Sequence, residues 1–297
     1  MPPPSPADAV VVTPVMLRRW PLPHPEGTKD ARGRVLIVGG SAETPGAVLL
    51  AAEAALRSGA GKLQVATVAS AAPLLAAAIP EALVRGLAET PAGAIAPDAA
   101  AHVLDLARGA AAVLVGPGMD DADAVADFLG RLLPELSRAV VLDALAMARV
   151  TADIGAVRHL DGRAVLTPNT SELATTLGVP EEEVSEHPDL YAGRLAVAAN
   201  AVVAAGGPTS SIAAPDGRLW QDETGGPGLA VSGSGDVRAG IVAGLLARGA
   251  SPEQAAVWGT YLHGRAGERL AGSIGGLGFL ARELPPELPR VLAEVEQ

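Results

Sequence analysis

The chain has 297 residues, 49 % of them hydrophobic and 2 % aromatic, with 22 Lys and Arg against 33 Asp and Glu for a formal net charge of −11. That length and apolar content suffice for a sizeable core in one large or two small domains, and the negative charge repels nucleic acid, so any phosphate ligand must be held by local donors rather than by a basic face. The absence of cysteine excludes disulfides, thiolate nucleophiles and cysteine-ligated metals, and fits a reducing cytoplasm.

Residues 1–27 carry no basic segment followed by an apolar core, so they do not form a secretory signal and are expected to be a flexible tail. From residue 28 onward, apolar β-branched runs alternate with alanine-rich helical stretches. The runs begin with Val35-Leu36-Ile37-Val38 and residues 63–68, and helices are predicted over 47–58 and 73–79. They continue with Ala112-Val113-Leu114-Val115, a helix over 121–133, Val140-Val141-Leu142-Asp143 and Ala164-Val165-Leu166-Thr167. Strands that are apolar on both faces predict a mostly parallel central sheet with helices on both sides. Residues 195–215 lack charge, but Asn200 and the run from Gly206 to Ser211 interrupt them as no membrane span would tolerate. Pro215-Asp216-Gly217 between two short apolar runs is turn chemistry for a small antiparallel hairpin at the sheet edge. In the helix that follows, Val237, Ile241 and Leu245 share a stripe, and Gly240 and Gly244 allow a neighbour to approach closely. Ser251-Pro252-Glu253-Gln254 supplies an N-cap, a first-turn proline and a capping-box glutamine for the last long helix. No composition break marks a linker, so residues 28–297 are expected to form a single domain.

The strongest chemical signal is the glycine-rich stretch from Thr224 to Asp236, which opens directly into that helix. Glycines let backbone N–H groups approach a phosphate, and a helix N-terminus adds partial positive charge. Gly233, Ser234 and Gly235 are therefore candidate nucleotide contacts. Asp236, kept ionised by the same dipole, is a candidate base for a substrate hydroxyl; a helix-capping aspartate would look the same on spacing alone. A second loop, Gly39-Gly40-Ser41-Ala42-Glu43-Thr44-Pro45-Gly46-Ala47, follows the first of these strands without dinucleotide-fingerprint spacing, and Gly116-Pro117-Gly118 follows a later one. The five histidines lack metal-ligand spacing, and no residue is expected to hold a metal by itself.

Taken together, residues 33–62, Pro80-Glu81, Val115-Gly116-Pro117-Gly118, Val141-Leu142-Asp143-Ala144, residues 166–173 and Gly233-Ser234-Gly235-Asp236-Val237 occur in the order found in NAD(P)H-hydrate dehydratases. The sequence resembles that family over roughly residues 28–290. The resemblance implies a ribokinase-like α/β fold and repair of NADH or NADPH hydrated at C6 (NADHX and NADPHX). ADP or ATP, with Mg2+ travelling on its phosphates, would phosphorylate the hydroxyl before elimination. It further implies that Ala47, Gly118, Asn169 and Asp236 contact the hydrated dinucleotide, and that Gly206, Gly207, Pro208, Thr209 and Gly235 lie against the nucleotide. A cytoplasmic homo-oligomer, with a tetramer as one form, follows from the same resemblance; membrane and nucleic acid are not expected partners. Two departures stand out: Thr170-Ser171-Glu172 replaces the family's usual Pro-Gly-Glu, and Ala205-Gly206 stands where a Lys-Gly pair is common. Two other readings remain open, a ribokinase-like kinase of a vitamin-type alcohol and a nucleotide-binding relative without catalysis.

Overall fold

The computed structural model describes residues 9–24 and 27–297. Among these, the strands are β1 (Val10–Val11), β2 (Arg34–Val38), β3 (Lys62–Val68), β4 (Ala82–Leu87), β5 (Ala112–Val115), β6 (Ala139–Leu142), β7 (Ala164–Leu166), β8 (Val202–Ala205), β9 (Ser210–Ala213) and β10 (Leu219–Asp222). They form one sheet in the order β1-β10-β9-β8-β7-β6-β5-β2-β3-β4. The run from β8 to β4 is parallel throughout, and β9 is antiparallel to both β8 and β10. The Pro215-Asp216-Gly217 turn thus makes the expected hairpin, with Trp220 opposite Ile212.

Helices cover both faces: α1 (Pro14–Arg18), α2 (Pro45–Arg57), α3 (Ala72–Ala78), α4 (Ala100–Ala107), α5 (Ala122–Leu132), α6 (Met147–Ala152), α7 (Thr170–Leu177), α8 (Glu181–Glu186), α9 (Pro188–Ala199), α10 (Ser234–Ala247), α11 (Pro252–Ser273) and α12 (Leu284–Glu296). Alternate strand residues feed two cores, which is why the strands read as unbroken apolar runs. Ala112 and Leu114 pack with α2, α10, α11 and α12, whereas Val113 and Val115 pack with α4, α5 and α9. No described helix is long and apolar enough to cross a membrane.

The expected tail over residues 1–27 requires correction where the structure describes it. β1 pairs with β10, Thr13 caps α1 by accepting from the Met16 amide, and the rings of Trp20 and Trp220 stack with centroids 5.8 Å apart. Without this segment, β10 would be a bare sheet edge, and buried donors of α11 would lack acceptors. Trp258 Nε1 donates to the Trp20 carbonyl at 2.9 Å, and Gln254 Nε2 donates to the Pro21 carbonyl at 2.7 Å. Ser251 caps α11 as expected, but Gln254 spends its side chain on this N-terminal segment and does not close a capping box.

α10 is buried around its whole circumference from Val237 to Ala247. Its small residues face α2: a Cβ placed on Gly240 would lie 2.2 Å from the Ala51 carbonyl oxygen, and one on Gly244 would lie 2.4 Å from that of Ala55. This close crossing fixes where the N-terminus of α10 emerges.

Candidate active site

Strands that run parallel bring their C-terminal ends to one rim, and the topology singles out one point on it. From β2 the chain moves outward through β3 and β4, then returns to place β5 on the other side of β2 and continues to β8. Connections therefore diverge between β2 and β5, and it is outside the strand ends at such a switch point that open α/β sheets bind ligands.

The two loops flanking this point clasp each other. The Gly40 amide donates to the Pro117 carbonyl at 2.7 Å, and Thr44 Oγ1 donates to the Gly118 carbonyl at 2.7 Å. Gly118 has a φ of 66°, and a Cβ there would lie 3.0 Å from the Ala47 side chain and 2.4 Å from the Thr44 carbonyl oxygen. Only glycine satisfies both the left-handed backbone and the contact. Ala47 and Gly118, far apart in sequence, thereby form one wall.

A second wall comes from β7 and β8. Asn169 caps α7 in a capping box with Glu172: its Oδ1 accepts from the Glu172 amide, and Glu172 Oε2 accepts from the Asn169 amide, each at 2.9 Å. Asn169 is exposed on the rim, and its backbone pairs with Gly206 as an isolated bridge. The Gly206 amide donates to the Pro168 carbonyl at 2.9 Å, and Thr170 Oγ1 donates to the Gly206 carbonyl at 3.3 Å. The segment 206–209 and the segment 168–170 are therefore one braced unit. Gly207 and Pro208 are exposed, and Thr209 is half-buried.

The N-terminus of α10 lies beside the first wall, because a Cβ on Gly233 would meet Leu50 of α2 at 2.4 Å. Its polar groups divide sharply. The Ser234 amide donates to the Val231 carbonyl, and the buried Ser234 hydroxyl is 2.8 Å from His263 Nε2, so that side chain is turned into the protein. At Gly235 the helix is open: a Cβ would meet no atom within 4 Å, and among the described residues its amide has no protein acceptor. Asp236 is half-buried in the next position. Burial raises its pKa to about 6, opposed by its own backbone amide, so the carboxylate form predominates at neutral pH and still takes up a proton readily.

Behind these walls lies a charge network of which sequence reading marks Asp143, at a strand's C-terminal end, but not Arg238 or His263. Thr167 Oγ1 donates to Asp143 Oδ1 at 2.6 Å, and burial raises the pKa of Asp143 to about 7. The following residue, Ala144, has a φ of 49°, a strained conformation for alanine of the kind that concentrates at functional sites. The Arg238 guanidinium is buried one helical position beyond Val237 and donates from Nη2 to the Thr167 carbonyl at 3.0 Å. Burial pushes the pKa of His263 down to about 3, with the Arg238 charge acting the same way, so the imidazole is neutral.

The sequence profile of NAD(P)H-hydrate dehydratases matches residues 35–290. The chain belongs to this family. An ADP-dependent (S)-NAD(P)H-hydrate dehydratase of Xanthomonas campestris pv. campestris is 48 % identical over 283 residues, covering 95 % of each chain. A bifunctional NAD(P)H-hydrate repair enzyme of Moorella thermoacetica is 38 % identical over 94 % of this dehydratase-family chain and 53 % of its own length. The crystal structure of the Bacillus subtilis ADP/ATP-dependent NAD(P)H-hydrate dehydratase, co-crystallised with ATP/Mg2+, superposes with a TM-score of 0.82. It is 29 % identical and covers 97 % of this chain and 99 % of that one. The fold is accordingly ribokinase-like.

Proposed function

We propose that this protein dehydrates C6-hydrated NADH and NADPH at the expense of ADP or ATP. The observation that carries the reading is the open N-terminus of α10, where the unengaged Gly235 amide and the half-buried Asp236 carboxylate sit side by side on the rim that also holds Ala47, Gly118 and Asn169. The amide and the helix dipole suit a terminal phosphate, and the carboxylate suits the hydroxyl that attacks it.

In the first step Asp236 accepts the C6 hydroxyl proton as the oxygen attacks the terminal phosphorus, and the bond to the bridging oxygen of the nucleotide breaks. In the second, the ring nitrogen lone pair expels phosphate from C6 and a C5 proton departs, which restores the dihydropyridine double bond. Phosphate leaves far more readily than hydroxide, which explains why a dehydration consumes a nucleotide. Ala47 and Gly118 border the nicotinamide end of the site, Asn169 contacts the dinucleotide, and 206–209 lie along the nucleotide. Ser234 lines the turn without offering the nucleotide a free donor, because its amide is bonded to the Val231 carbonyl and its hydroxyl is engaged by His263.

Among the described residues no three His, Asp or Glu side chains converge on one point. Magnesium carried on the nucleotide phosphates needs no such cluster, and Asp236 is the carboxylate at the open helix end that would hold it. Bound there, it would neutralise polyphosphate charge that an acidic protein cannot. The family membership supports a cytoplasmic homo-oligomer, a tetramer included. Incubating the protein with hydrated NADH, Mg2+ and ADP or ATP should restore dihydronicotinamide absorbance. A stable phosphorylated product would support the kinase reading instead, and nucleotide binding without turnover would support a non-catalytic role.

A further inference from the structure

Arg238 is a full charge in a helix whose other residues from Val237 to Ala247 are Val, Ala, Gly, Ile and Leu, and it is 7 % exposed. A buried guanidinium is costly unless its donors and charge are matched, so its surroundings show what it is for. One arm, Nη2, bonds the Thr167 carbonyl at the end of β7. The other lies under Gly206 at the end of β8, where an added Cβ would fall 2.4 Å from Nη1. The Nε atom is buried with no partner among the described residues. The charged groups facing it are Asp143 from β6 and Glu172 from α7, each at the end of an element that feeds the rim. Arg238 therefore touches or attracts four rim segments from a helix that carries Asp236 two residues earlier.

We propose that Arg238 is a positioning residue that locks the 206–209 and 168–170 segments to helix α10, so that phosphate donor and hydrated dinucleotide reach Asp236 in one register. The inference rests on the functional reading above. Three features make the geometry specific. Gly206 has no side chain, which is the only way the guanidinium can lie that close to its backbone. The Gly206 amide and carbonyl are already committed to Pro168 and Thr170, so pressure at Gly206 is transmitted to the Asn169 segment. Arg238 bonds the Thr167 carbonyl and lies against Gly206, with no bond to Asp236, so it acts on the placement of those segments.

The test uses the full chain with Arg238→Met, Arg238→Lys and Gly206→Ala, all measured with hydrated NADH, Mg2+ and ADP or ATP. Arg238→Met should raise the nucleotide KM about tenfold, in the range of ordinary coupling between sites, with kcat changed less than about threefold. The acid limb of kcat should stay where it is in the parent protein. Arg238→Lys should recover most of the loss, because an ammonium can still reach one carbonyl. Gly206→Ala keeps the charge and displaces the guanidinium, so it should reproduce the KM increase even if Arg238→Met fails to fold. Folded variants with parent nucleotide and hydrate KM values overturn the inference while leaving the functional reading intact, and so does a fall in kcat alone or a moved acid limb. A parent protein without nucleotide-dependent turnover removes the reading and the inference together.

Discussion

Two glycines on α10 should respond to the same substitution with opposite signs. At Gly235 a Cβ meets nothing within 4 Å, whereas at Gly240 it meets the Ala51 carbonyl oxygen at 2.2 Å and Ala51 Cα at 2.7 Å. Replacing glycine by alanine in a helix lowers the entropy of the unfolded chain and contributes roughly 0.5–1 kcal/mol. Gly235→Ala should therefore hold or raise Tm, by about 1–3 °C for a chain of this size. Gly240→Ala gains the same amount but must drive α2 and α10 apart at a backbone contact, and overpacking of this kind costs about 1–3 kcal/mol or more, so Tm should fall. Activity separates them further. The open space at Gly235 is where the phosphate is placed, so the new methyl group should cost a charge-assisted hydrogen bond of roughly 1.5–3 kcal/mol, or about ten- to hundredfold in nucleotide KM. Differential scanning fluorimetry without ligand and steady-state kinetics on the same preparations decide the matter. A Gly235→Ala protein with raised Tm and an unchanged nucleotide KM would refute the placement of phosphate at this helix end.

Because Asp236 must be ionised to take a proton and its pKa in the free protein is about 6, kcat/KM should fall about tenfold per pH unit below that value. A profile recorded from pH 5 to 8, with circular dichroism to confirm folding, checks this, and a limb at the ordinary aspartate value would show that burial does not act on Asp236. His263 has the opposite linkage: its pKa is depressed to about 3 in the fold against 6.5 as a free side chain. The unfolded chain then binds the extra proton first, so stability contributed by neutral His263 is present above pH 6.5 and is lost as pH falls toward 3. His263→Gln, which keeps a polar partner for Ser234 without titrating, should flatten the stability curve over that window in denaturant titrations, and an unchanged slope would contradict the buried neutral imidazole.

Much of the parallel sheet was legible in the sequence because fully buried strands leave unbroken apolar runs, and the hairpin announced itself through Pro215-Asp216-Gly217. Strand β4 did not, because at the sheet margin it places exposed residues such as Leu83 and Arg85 beside half-buried ones and so shows no such run. The N-terminal segment misled for a related reason: β1 has two residues, and its partners, Trp220, Gln254 and Trp258, lie more than two hundred positions away. Local pattern carries no information about a contact of that span. At the site, the glycine-rich opening of α10 was visible from composition, and Gly240 and Gly244 were recognisable as points of close approach. Which side of that opening faces outward was not visible. Ser234 turns inward because of His263, 29 positions later, and Gly235 is left as the open position. The sequence does show Arg238 as a charge inside an apolar helix, a signal that could have marked it, but only the fold supplies Thr167 and Gly206 as its neighbours.

The account turns on Asp236 as the group that receives the hydroxyl proton. Single-turnover measurement of Asp236→Asn with hydrated NADH, Mg2+ and ADP or ATP tests it most directly, because the amide keeps the size and polarity of the side chain and cannot take up the proton. The expected result is ligand binding close to that of the parent protein with recovery of dihydronicotinamide absorbance reduced by about 10²–10⁴-fold. Recovery at the parent rate, with both ligands bound, would contradict it.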